Sequence, residues 1–212
     1  MKWKNIDICK TLYFNFYYLP FRSALALPFR VAPGVKISDM GSRNSVVLKS
    51  NRQHICIGKD SSFALGGKTC WHIAPDARLE IDGNATFGRG TQLIVDGNLK
   101  IGENFYCNAN CIINCGREMT IGSHALFGWN VTILDGDGHQ IGCNQQFADA
   151  YEPVHIGSHV WIASNASVLK GAVIGDDTVV GYGSIVSKPI EKEHILIGGI
   201  NKILKENIDW RA

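Results

Sequence analysis

Residues 133–142 read ILDGDGHQIG. A neutral imidazole is the side chain best suited to take a proton from a hydroxyl near neutral pH. Asp135, Asp137 and His139 alternate, so in an extended segment all three face the same way, and either carboxylate could lie beside the ring. His139 is the candidate general base. Asp137 and Asp135 are candidates to orient it or to hold an acceptor. The alternative is that DGDG is only a turn, which explains the glycines but not the histidine. Trp129, in FGWNV, offers a face on which a sugar ring or a second subunit could pack. His54, His72 and His194 are isolated, and His124 and His159 recur in two IGSH stretches as solvated turn residues. His139, His155 and His159 would make a zinc site, as for CO2 hydration, only by converging between subunits. No metal is expected.

The elements that must position these residues show a beat of six. IGENFY, CNANCI, IGSHAL and FGWNVT precede the histidine, and IGSHVW, IASNAS, VLKGAV, IGDDTV and VGYGSI follow it. A helical face repeats at about 3.6 residues, so this is a run of short strands with glycine-rich turns. Three strands make one coil of about 18 residues, the separation of Ile156 and Ile174; Ile81, Ile101 and Ile121 are about 20 apart, which predicts two residues bulging at a corner. Stacked coils pair as parallel strands, giving an all-β parallel β-helix of triangular section. Its core excludes charge, so Asp135, Asp137 and His139 are expected outside it or in the loop that starts there. That loop, about 136–155, is a structureless excursion from a regular fold, and such excursions are usually functional.

Residues 1–45 do not repeat and are expected to cap the first coil, or to rest on a membrane surface. No apolar run is long enough to span a bilayer. The β-helix is expected over 46–200, and 201–212 form an amphipathic tail packed along its side. The 212 residues, 45% hydrophobic with net charge +2, suit one domain and argue against a nucleic-acid partner. Seven cysteines and no secretory signal agree with a cytoplasmic protein. Cys107 and Cys111 fall where other repeats carry Ile, Val or Ala, and so read as small core residues.

The stretch IGSHVWIASNASVLKGAVIGDDTVVGYGSIV resembles the left-handed β-helix hexapeptide-repeat acyltransferases. The flanking NFYYLPF and FGWNV resemble O-acetyltransferases of bacterial capsule and lipopolysaccharide synthesis. The resemblance implies a left-handed coil, an acetyl-CoA donor and a homotrimer with sites between subunits. It makes Asp-x-Asp-x-His the catalytic segment and Asn110 an acceptor-binding amide. Ala163 and Ser164 would offer N–H groups near the thioester, Tyr182 would line the pantetheine arm, and Ser187, Lys188 and Lys205 would approach the nucleotide phosphates. The acceptor would be a free, lipid-linked or nucleotide-linked sugar. N-acetylation of an amino sugar and a non-catalytic scaffold remain the alternatives. Two departures stand out: Ala163 where glycine is common, and GGINK where the tail exit usually holds proline.

Overall fold

A computed structural model describes residues 5–50, 53–59, 67–140, 142–143 and 146–211. Three parallel sheets form the faces of one prism. Sheet A runs from Phe29–Val31 to Ile195–Gly198, sheet B from Lys36–Met40 to Ile185–Val186, and sheet C from Val46–Leu48 to Pro189–Ile190. The chain visits A, B and C in turn. The six-residue beat is the step from one inward residue to that of the next face: Ile156, Ile162, Val168, Ile174 and Val180 are all buried. Corners turn through left-handed backbone, in columns that suit residues able to adopt it: Gly90, Asn110, Asn130, Asn165 and Gly183 between sheets A and B, and Asn104, His124, His159, Asp177 and His194 between C and A.

The longer coils do not bulge at their corners. Their two extra residues lengthen the strands of sheet B, where Leu93 and Val95, or Ile113 and Cys115, both point inward. The register Ile112↔Thr132, Ile113↔Ile133, Asn114↔Leu134 then brings Asp135 to the place above Cys115. Asp135 is therefore buried, at 1% exposure, contrary to the expectation that the core excludes charge. Its carboxylate accepts from the Gly116, Arg117 and Glu118 amides at 2.6, 2.8 and 2.8 Å. Three charge-assisted bonds offset its desolvation. Burial, then the nearby carboxylate, pushes the Cys115 thiol up. Later coils lack the extra pair, so Asp135 ends the column.

The N-terminal segment caps the prism. Helix α1 (Ile8–Tyr18) starts at Asp7, whose carboxylate accepts from the Lys10 amide. Phe14 packs on Phe29 and Trp71, with ring centroids 6.0 and 5.5 Å away. Buried polar side chains replace the missing next strand: Asn15 bonds both the N–H and C=O of Phe29, and Thr11 accepts from Val31 N–H. The open edge is thus closed by side chains. Because Phe29–Val31 is already the first rung, the β-helix begins there rather than at 46. At the other end, Lys202–Glu206 of the tail adds an antiparallel strand to sheet A, and only beyond it does the tail pack along the side, with Trp210 against His159.

The inserted loop leaves the corner between sheets B and C, and the next coil resumes in register, with Ile121 paired to Ile156. It is not structureless: Gly142–Cys143 pairs with Gln146–Phe147, and Gly136 bridges to Tyr151 at its base. The strand Val154–Ile156 closes it. Cys107, Cys111 and Cys115 are buried as core residues; Cys9 and Cys143 are exposed.

Candidate active site

Two features of the surface could do chemistry, and they lie at different corners of the prism. The first is a groove of about 630 Å³ on sheet A and its corner with sheet B. Outward residues of successive strands stand in register along its floor: Leu126, Trp161, Val179 and Leu196. Trp129, Ser164 and Tyr182 form a column at its corner, each just before a left-handed residue. The tail closes the other side. The Trp210 indole stacks on the His159 ring at 4.1 Å, and its N–H donates to the His159 carbonyl at 2.8 Å. His159 is itself held to Asp177 at 2.7 Å, so it is a docking post for the tail rather than a solvated turn residue.

Along this groove the backbone decides which amides could meet a developing charge. The Ala163 N–H donates to the Val180 carbonyl at 2.8 Å and is spent in the ladder; this corrects its expected role. The Ser164 hydroxyl accepts from the Trp129 amide at 3.0 Å, which orients it. Among the described residues the Ser164 N–H has no acceptor, so it alone of the expected pair is available. Tyr182 is exposed in the groove. Lys205 pairs directly with Leu196, and paired residues share a sheet face, so Lys205 stands at the groove's margin.

The second feature is the loop carrying His139. Its base is fastened by charge. Arg117 makes a bidentate pair with Asp149 at 2.8 and 3.1 Å and also donates to the Tyr151 carbonyl. That guanidinium holds the Asp149 carboxyl below the usual carboxylate range. Lys170 reaches both the Asp137 carboxylate, at 2.7 Å, and the Asp149 carbonyl, at 2.8 Å. The Tyr151 ring covers Gly116 and Gly136, where any Cβ would collide with it. His139 is exposed on this platform.

The expected neighbours of His139 are elsewhere. Asp135 is buried under the corner and cannot face an acceptor. Asp137 is engaged by Lys170. Among the described residues no hydrogen bond joins either carboxylate to the imidazole. Asn110 is a left-handed corner residue whose amide oxygen lies over Gly90; the groove instead takes Asn108, which sits two residues earlier. Ser187 bonds reciprocally with Asn201 and, with Lys188, stands at the B–C corner away from the groove. The structure thus joins Trp129, Ala163, Ser164 and Tyr182 in one groove, with Lys205 at its edge. Within one chain it leaves His139, Asp137, Ser187 and Lys188 on another corner. Sequence reasoning missed Asn108, Trp161, Trp210 and Arg211 as lining residues. Trp161 was findable from the outward register; Trp210 was not, because the tail has no repeat. Among the described residues no group of three or more His, Cys, Asp or Glu could hold a metal ion.

Residues 153–188 match the family described as bacterial transferase hexapeptide, six repeats. The galactoside O-acetyltransferase of Escherichia coli is 37% identical over 111 residues, 51% of this chain and 54% of that protein. The chain therefore spans about half the length of such curated relatives. In fold, it is similar to the polySia-specific acetyltransferase NeuO, with TM-score 0.68 at 21% identity over 87% of this chain and 82% of that one. It also resembles a Vibrio cholerae hexapeptide-repeat acetyltransferase, VCA0836, solved with acetyl-coenzyme A, with TM-score 0.50 at 19% identity over 95% and 85%. Residues 153–188 thus carry the hexapeptide-repeat signature, the fold is the left-handed parallel β-helix of these solved neighbours, and the relatives that the chain resembles are named as acetyltransferases.

Proposed function

We propose that this protein transfers an acetyl group from acetyl-CoA to a hydroxyl of a surface-polysaccharide sugar precursor, in the cytoplasm of a bacterium. The observation that carries this is the pairing of an apolar groove, ending at a Ser164 amide with no acceptor among the described residues, with a fastened loop that presents His139 to solvent. The groove suits a pantetheine arm, with its thioester at the Ser164 corner. Lys205 at the margin suits a phosphate.

His139 takes the proton of the acceptor hydroxyl as its oxygen attacks the thioester carbonyl. The Ser164 N–H donates to the oxyanion. Collapse breaks the carbon–sulfur bond, and the imidazolium returns the proton to the departing thiolate. The products are an acetyl ester and free coenzyme A, without an acyl-enzyme. Since loop and groove occupy different corners of one prism, a homotrimer would set the loop of one chain against the groove of the next.

Acetyl-CoA is titrated by calorimetry into the wild type and His139→Ala, and galactosides and sialosides are then screened for thiol release. Binding by both proteins, with release lost only in the variant, is the expected result. Absence of donor binding in the wild type would leave a scaffold as the better reading.

A further inference from the structure

Helix α1 has two apolar faces, and the prism uses one. At about 100° per residue, Thr11, Phe14, Asn15 and Tyr18 fall together and are buried against the first coil. Leu12, Tyr13 and Phe16 lie about 110–150° round the helix from that face, with Ile8 on its flank, and all four are exposed. A surface helix ordinarily carries charge on that side; residues 11–21 contain none. The Phe16 ring meets Phe21 at 5.8 Å and carries the patch onto helix α2 (Phe21–Ala24) and its neighbour Leu25. Phe21 and Leu25 are 69% and 60% exposed. Between Leu12, Tyr13, Phe16 and Tyr17 lies a shallow groove of about 350 Å³, with Arg43 at its rim, 5.8 Å from the Tyr17 ring.

Charge identifies the occupant. The chain has 21 Lys and Arg and 19 Asp and Glu; residues 1–31 hold five of the former and one of the latter, which leaves 16 and 18 for the remainder. The segment is thus +4 on a body of −2. Its one acid, Asp7, is already paired with Lys10 at 3.3 Å. Two copies meeting through this face would bring like charges together. An anionic surface with an apolar interior satisfies both the side chains and the charge.

We infer that the outer face of α1 and α2 docks on an anionic phospholipid bilayer. Leu12, Phe16, Phe21 and Leu25 enter the acyl boundary, while Arg22 and Arg43 meet lipid phosphates. The helix lies in the membrane plane: no helix among the described residues is long and apolar enough to cross. This docking does not depend on the acetyl-transfer reading.

The test is flotation of the full chain with phosphatidylcholine vesicles, with and without phosphatidylglycerol. The protein floats with the anionic vesicles, and retention falls as salt is raised. The pair Leu12→Ser, Phe16→Ser lowers retention about tenfold or more at an unchanged melting temperature. Should that pair disturb the cap, Phe21→Ser with Leu25→Ser, on side chains remote from the coils, gives the same loss. Arg22→Gln with Arg43→Gln removes the preference for anionic lipid. The inference is overturned by absence of flotation with either vesicle, or by flotation that both apolar pairs leave intact. It is equally overturned if these substitutions abolish self-association of a protein that does not float.

Discussion

The groove and the His139 loop are the two halves of the candidate site, and opposite forces hold them. The groove is an outgrowth of the core. Its floor residues alternate with buried Phe127, Ile162, Val180 and Ile197, and its corner is tied by ladder bonds such as Ala163 N–H to Val180. Loosening it means loosening the prism. The loop adds little to the core. It is held by surface ion pairs, the exposed Arg117–Asp149 and the half-buried Lys170–Asp137, around one buried carboxylate, Asp135. Exposed pairs contribute little to global stability but can set where a short segment sits. Substitutions in the loop should therefore change rate before stability, and the reverse should hold beneath it.

The sharpest break is His139→Ala. Turnover falls by about 10²–10⁴-fold, while acetyl-CoA affinity, read by calorimetry, and melting temperature stay near wild type. Equal loss of donor affinity would place His139 in the groove's half instead. Next comes Asp135→Ala, which leaves three amide donors beneath the corner without their acceptor. Unfolding free energy falls by about 3 kcal/mol, a drop of roughly 6–12 °C in melting temperature. A variant as stable as the wild type would show that the loop's anchor is not part of the core.

Trp210→Ala removes a wall of the groove and its stack on His159. Donor binding weakens by roughly tenfold, with turnover at saturating donor preserved. Arg117→Gln unfastens the loop base: kcat/KM falls by about tenfold and limited proteolysis cuts within 136–153, while the melting temperature shifts by no more than about 2 °C. The smallest effect is in pH. Because Arg117 lowers the Asp149 carboxyl, that pair's contribution is complete above the ordinary carboxylate value of about 3.9 and is lost as pH falls through the lower folded value. Protease protection of the loop is constant from neutral pH down to that range, then fades, and in Arg117→Gln it is absent at every pH.

What was legible followed from local spacing. Inward residues every six positions, broken by Asn, His, Asp and Gly corners, announce a prism with no long-range information. The interruption after Ile133 announces the loop. Two features were not legible. The extra pair in the longer coils extends sheet B rather than bulging, because a strand two residues longer keeps every hydrogen bond of its ladder. Asp135 is buried for the same reason: its place is set by pairing with the coil 20 residues before it, above Cys115, and not by the alternation within DGDGH.

The sequence by itself determined the coil, the loop's position and the histidine on it, since each depends on residues near in the chain or on a repeat that signals itself. Only the tertiary structure decided that Ala163's amide is occupied while that of Ser164 meets no acceptor among the described residues, that Asn108 rather than Asn110 lines the groove, and that Trp210 returns from the tail to His159. Each of these rests on which group in a neighbouring coil accepts a bond or offers a face, and that partner is chosen by register in three dimensions.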